Sequence, residues 1–95
     1  MELDSIHNYF ERLVFNEIKE NYVGKELSEE QLTDMACLAL NQIPPRYIRY
    51  DIDMSFFMTP QQHHEVEQKV ALAVETAYHK MLHLEKPEVS AALDD

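Results

Sequence analysis

The chain is short and acidic: its 95 residues include 18 acidic and 8 basic side chains, a formal net charge of −10 at pH 7. This length predicts one domain, with a core too small to enclose a buried active site easily. The charge argues against a nucleic-acid polymer as partner, because most of the surface would repel phosphates. No apolar run approaches the ~20 residues of a membrane span, and the first ten residues are too polar for a signal peptide. We therefore expect a cytoplasmic protein that does not bind membranes.

The first periodic segment predicts a helix over about residues 5–22. Its apolar side chains recur in steps of three and four, which places them on one helix face. Asp4 or Ser5 is the expected N-cap. Gly24, the only glycine in the chain, lies where a left-handed C-cap is expected.

A second helix is predicted over about residues 28–43. Ser28 and Gln31 form a capping box, in which each side chain accepts a hydrogen bond from the backbone amide of the other residue. The helix must end at Pro44 and Pro45, because a proline has no amide donor and fixes φ at about −65°.

Residues 48–56 alternate between apolar and polar types, which is typical of a half-buried strand. We expect an extended segment over residues 46–58, after the prolines. No other part of the chain alternates in this way. The extended segment is therefore expected either to pair with its copy in a second chain or to pack as an arm on the helices.

The third predicted helix covers residues 60–84. Thr59 is its expected N-cap, Pro60 its first residue and Gln62 the second half of a capping box. At 1.5 Å per residue the helix is roughly 37 Å long, longer than its two partner helices can cover. We therefore predict an all-α fold of three principal helices that forms a homodimer.

The domain organisation follows from this pattern. Residues 1–86 are expected to form the single domain. Residues 87–95 have no apolar stripe and end in two acids, so they are expected to form a disordered tail.

The segment after the two prolines, which we call the proline corner (residues 44–47), is the first candidate site. It presents Arg46 and Tyr47, and Arg49 follows within a stretch, residues 43–50, that contains no acid. A planar cation and an aromatic ring on a stiff chain suit a planar or anionic ligand. The alternative is a simple helix end, in which Tyr47 packs and Arg46 is solvated.

The histidines give little support for a metal site. His63, His64 and Glu67 lie within one helical turn, and His79 and His83 are four residues apart, a spacing that can place two ligands on one helix face. Two ligands are too few unless more come from a second chain. We expect solvated side chains, no metal and no cofactor.

Cys37 is the only cysteine, which excludes an intrachain disulfide and a zinc site built from several thiolates. It falls beside the apolar face of the second helix, where a lone thiol usually acts as a small buried hydrophobe. The sequence shows no nucleophile with a nearby base, so we do not expect an enzyme.

A signature leads into the proline corner and consists of Asp34, Ala39, Leu40, Asn41, Pro44, Pro45, Arg46 and Tyr47. It resembles the late competence development protein family, ComFB. The resemblance covers nearly the whole chain, with a helix before the signature and a long helix after it. It implies a small, mostly helical bacterial protein that forms homodimers, and some members of the family are receptors for cyclic di-GMP or cyclic di-AMP. Many relatives have several cysteines before the signature, with a bound zinc reported, but Cys37 stands alone here and zinc is not carried over.

The first functional hypothesis is a regulatory homodimer that binds a cyclic dinucleotide and has no catalytic activity. In this hypothesis Arg46 and Arg49 pair with phosphates or a guanine edge, and Tyr47 stacks on a base. Asp34 and Asn41 support the corner through hydrogen bonds. A twofold ligand suits a twofold dimer, because each half of the ligand meets the same residues.

The second hypothesis is a protein-interaction adaptor in competence or motility regulation. It recruits a protein partner through the arm at residues 48–58 and the long third helix, without a small-molecule ligand.

Overall fold

The structure is a computed structural model of the chain and describes residues 3–84. The predicted domain is therefore seen only over these residues, and the predicted tail at 87–95 lies outside them. The elements in chain order are β1 (His7–Asn8), α1 (Phe10–Asn21), α2 (Glu29–Leu40), β2 (Tyr47–Ile48), α3 (Asp51–Phe56) and α4 (Pro60–Leu84), with short 3₁₀ helices at Leu3–Ser5 and Val23–Lys25. The fold is mainly helical, as predicted, with a small two-stranded sheet in addition.

The core lies between α1, α2 and α4, and the contact between α2 and α4 is the most extensive. Each helix contributes apolar residues from one face, as the periodicity predicts. Val14, Met35 and Val74 are completely buried at its centre. Burying a side chain of this kind stabilises the fold by about 1.5–3 kcal/mol, so these positions outweigh the surface contacts described below.

Both predicted capping boxes are present. Ser28 Oγ accepts a 3.0 Å hydrogen bond from the Gln31 amide, and Gln31 Oε1 accepts a 2.7 Å bond from the Ser28 amide. Thr59 and Gln62 make the same pair of bonds at 3.1 and 2.8 Å. α4 spans the predicted residues, and α2 begins directly after Ser28. The predicted end of α2 at residue 43 is wrong, because the helix ends at Leu40, with Asn41 as its C-cap residue.

The start of the first helix differs from the prediction. α1 begins at Phe10 rather than near residue 5, so the N-cap expected at Asp4 or Ser5 is wrong. Asn8 is the residue that bonds the start of the helix: its Oδ1 accepts a 3.3 Å hydrogen bond from the Phe10 amide. A short polar side chain that bonds backbone two residues ahead competes with helix formation at its own position.

The expected left-handed cap at Gly24 is also wrong. Gly24 lies inside the 3₁₀ helix Val23–Lys25 and does not have positive φ. The left-handed residue is Glu26, with φ of 61°. The 3₁₀ helix adds one tight turn after α1, so the left-handed residue comes after this turn, at Glu26.

The extended segment predicted at residues 46–58 is mostly wrong. Only Tyr47–Ile48 form a strand, and Asp51–Phe56 form the helix α3. Two aspartates in the first turn of α3 favour the helix through its dipole. β2 pairs antiparallel with β1 of the same chain, with His7 opposite Ile48. The two-residue β1 is too short to show alternation in the sequence.

Candidate functional site

The proline corner is bonded to the N-terminal segment through the backbone of Arg46. The Arg46 amide donates to Asn8 Oδ1 at 3.0 Å, and the Arg46 carbonyl accepts from the Tyr9 amide at 2.7 Å. Asn8 is buried, with 8% of its surface exposed. The corner therefore has a defined backbone direction, because both polar backbone groups of Arg46 are satisfied after two residues that cannot donate.

Most side chains at the corner and directly after it are exposed. Ile48 packs against the core, whereas Arg46 and Arg49 are exposed and Tyr47 is 68% exposed. Tyr47 is thus not packed, contrary to the simple helix-end interpretation. The Arg49 guanidinium carbon lies 5.0 Å from the centre of the Tyr50 ring, within cation–π range. Aromatic rings and arginines therefore follow one another on this surface.

An open groove of about 410 Å³ runs beside the corner and brings together several of the predicted residues. Asn41, Pro44, Pro45 and Tyr47 line it. Glu11 of α1 lines it too, which makes part of the groove unfavourable for phosphate. Arg46 and Arg49 are not among the lining residues, so cations lie outside the groove and a carboxylate lies inside it.

Asp34 and Asn41 occupy different places along α2. Asp34 lines a separate shallow depression with Thr33 and two glutamates, about 10 Å before Asn41 along the helix axis at 1.5 Å per residue. Asn41 is the C-cap residue of α2, and its backbone amide donates a 3.1 Å hydrogen bond to the Cys37 carbonyl. Asn8, which sequence reasoning missed, supplies the side-chain bond to the corner backbone.

A second surface feature, which also went unrecognised in the sequence, is the apolar face of α3. We use this name for Ile52 and Phe56 of the helix together with Phe57, which directly follows it. Ile52, Phe56 and Phe57 are 69%, 75% and 78% exposed. The two phenylalanine rings meet edge to face with 5.1 Å between their centres. The four-residue spacing of Ile52 and Phe56 is the helical signal that the apparent alternation concealed.

His7 and Asp51 connect β1 to the start of α3. His7 Nε2 lies 2.8 Å from Asp51 Oδ1, and the Arg12 guanidinium lies 3.2 Å from Asp51 Oδ2. The hydrogen bond with Asp51, followed by that with the Ser5 carbonyl, raises the pKa of His7 above its usual 6.5. Neither residue was identified in the sequence, because 44 positions separate them.

Metal-ligand geometry is absent from the part of the chain that the structure describes. Within residues 3–84 no group of three or more His, Cys, Asp or Glu side chains could hold a metal ion. His63 Nε2 lies 3.2 Å from the Ser55 carbonyl, and His79 and His83 line a largely apolar groove at the end of α4. Cys37 is exposed, so its expected burial is wrong.

No helix within the described range 3–84 is both long enough and apolar enough to cross a membrane.

The fold and the corner define a small, mainly helical domain with an arginine–tyrosine surface directly after a pair of prolines. The sequence profile of a family described as late competence development protein ComFB matches residues 7–84, and the chain belongs to that family. The match extends from the first residue of β1 to the last residue of α4. It confirms the resemblance found in the sequence and makes the chain a small competence-related protein. No curated protein and no solved structure matches the chain.

Proposed function

We propose that this protein is a non-enzymatic regulator that binds a cyclic dinucleotide, cyclic di-GMP or cyclic di-AMP, as a homodimer. One observation supports this most strongly. The exposed Tyr47 ring lies between Arg46 and Arg49 in sequence, on a corner whose backbone is bonded in place. In a chain of net charge −10, the acid-free stretch at residues 43–50 is where an anionic ligand is repelled least.

The arrangement gives each ligand group a partner. A base stacks on Tyr47, and the phosphates pair with the outward-facing Arg46 and Arg49. Glu11 in the groove accepts hydrogen bonds from N–H groups and repels phosphate. The Watson–Crick edge of guanine offers two adjacent N–H donor groups to a carboxylate, whereas that of adenine offers one. We therefore expect cyclic di-GMP to bind more tightly than cyclic di-AMP.

The homodimer follows from surface that one chain leaves uncovered. The exposed apolar face of α3, comprising Ile52, Phe56 and Phe57, suits contact with a second copy. The same segment carries the cation Arg49 just before α3 and the acid Asp53 within it. A twofold axis pairs unlike residues reciprocally, so a patch with both charges is complementary to itself.

Titration calorimetry with each cyclic dinucleotide tests the ligand. Binding of either one, with the heat lost in Arg46→Ala and retained in Lys80→Ala, supports the receptor. Lys80 is a matched control because it is an exposed cation on α4, so its removal changes the net charge equally. A dissociation constant of about 100 µM corresponds to a binding free energy of only ~5.5 kcal/mol. If the wild-type protein binds neither dinucleotide at this concentration, the receptor proposal is wrong.

The adaptor is the second candidate, and the exposed face of α3 is the observation that favours it. Two large apolar side chains on one short helix, and a third directly after it, resemble the anchor residues of protein interfaces. The two candidates differ in what covers these residues. If the protein is a monomer that binds no dinucleotide, α3 remains available for a different protein, and the adaptor becomes the better proposal.

A further inference from the structure

The imidazole of His7 lies between two groups that only accept hydrogen bonds. Its Nδ1 is 3.0 Å from the Ser5 backbone carbonyl, and its Nε2 is 2.8 Å from the Asp51 carboxylate. A neutral imidazole carries one N–H and can donate only one of these bonds. Both bonds form together only when both ring nitrogens are protonated, so the observed geometry fits the imidazolium.

The charged groups around His7 favour that protonated form. Asp51 lies on α3, and Glu11 of α1 adds a second negative charge. Arg12 of α1 is the opposing positive charge, and its guanidinium lies 3.2 Å from the other oxygen of Asp51. Across the sheet His7 faces the apolar Ile48.

Asp51 is the first residue of α3, so the contact with His7 connects the N-terminal strand to the helix that carries the exposed apolar face. Apart from the contact of Arg12 with Asp51, α3 has few other attachments. No residue within Asp51–Phe56 is fully buried, and Met54 is its one side chain packed on the core. From α4, His63 Nε2 lies 3.2 Å from the Ser55 carbonyl of α3. A six-residue helix does not persist by itself, so its attachment decides its position.

We propose that His7 is a pH-dependent switch for α3: the imidazolium holds the helix against β1 through both bonds, and neutral His7, which can donate only one of them, loosens this hold. The switch alters the presentation of Phe56 and Phe57 to whatever binds them, and it does not depend on the proposed ligand. The pKa of His7 is raised in the folded chain. The stabilisation of α3 by His7 is therefore fully present below the pKa of His7 in the unfolded chain, about 6.5. It is lost as the pH rises through the pKa of His7 in the folded chain.

Amide hydrogen exchange across residues 50–57 tests the proposal, compared at about pH 6 and about pH 8, on either side of the histidine range, and corrected for intrinsic exchange. Protection of this segment should fall several-fold at the higher pH, while the segment of α4 around Val74 stays unchanged. His7→Gln keeps one amide donor that does not titrate, so its protection should be the same at both pH values. His64→Gln removes an exposed histidine of α4 and should keep the pH dependence of the wild type.

An equal loss of protection in wild type and His7→Gln would overturn the proposal, as would a wild-type protein without any change. Titration of the histidine ring signals by NMR requires no variant. The pKa of His7 should lie above the usual 6.5, and Asp51→Asn should lower it. A His7 signal that titrates at or below the usual value would also overturn the proposal.

Discussion

Asn8 Oδ1 accepts a 3.0 Å hydrogen bond from the backbone amide of Arg46, although 38 positions separate the two residues. The same oxygen accepts from the Phe10 amide at 3.3 Å. One buried side chain therefore sets both the start of α1 and the direction of the proline corner. The corner depends on the N-terminal strand as much as on its own prolines.

We expect Asn8→Ala to lower the free energy of unfolding by about 1–3 kcal/mol, because it leaves two backbone amides without their acceptor. Urea denaturation measures the change. Asn8→Asp retains an acceptor oxygen and should be destabilised less. Asn16→Ala, an exposed asparagine of α1, should have little effect. An Asn8→Ala protein as stable as wild type would show that water replaces the bond.

We expect Gly24→Ala to raise the free energy of unfolding by about 0.4–1 kcal/mol, because it restricts the unfolded chain. A Cβ built at this position meets nothing within 4 Å, and Gly24 does not have positive φ. Glu26→Ala is the matched control, because position 26 has left-handed backbone and alanine is as strained there as glutamate. Destabilisation by Gly24→Ala, measured by urea denaturation, would show that residue 24 is left-handed after all.

We expect Arg46→Ala to leave the fold and the dimer intact, because an exposed arginine usually contributes less than ~1 kcal/mol to stability. The same change should weaken cyclic dinucleotide binding by about 1.5–3 kcal/mol, the typical value of a charge-assisted hydrogen bond. Calorimetry measures binding and thermal melting measures stability. If Arg46→Ala unfolds, the arginine is structural, and its proposed role in ligand binding is wrong.

We expect the wild type to be a dimer with about twice the chain mass of 11.2 kDa, and the double variant Phe56→Ser, Phe57→Ser to be a monomer. Both rings are exposed within the single chain, so their removal should not lower the stability of the monomer fold. Light scattering at micromolar concentration measures the mass. Leu72→Ser changes an exposed leucine of α4 and should leave the mass unchanged. A dimeric double variant would place the interface elsewhere.

We expect purified protein to contain no stoichiometric zinc, and a chelator not to unfold it. The chain has one cysteine, and the paired histidines of α4 supply too few ligands within one chain. Elemental analysis measures the metal. About one zinc per chain would mean that histidines of two chains meet across an interface.

The sequence is sufficient for α4, for the start of α2 and for the mainly helical class. In each case the signal is local: Ser28 with Gln31, and Thr59 with Gln62, satisfy helix-end amides within a few residues. The signature at residues 34–47 was likewise sufficient for the family, because it is a pattern of residue types and not of contacts.

The sequence did not reveal α3, β1 or the connections of the corner. The alternation at residues 48–56 fits a strand, but Asp51–Phe56 is a helix whose first carboxylate meets His7 and Arg12 from the other end of the fold. Asn8 and Arg46 likewise meet only after the helices pack and bring residues 7–9 beside residues 46–48. Local hydrogen bonding and periodicity determine where the long helices lie, because these energies act within a few residues. Contacts between distant residues depend on the packed core, so only the tertiary structure decided how the candidate site is built.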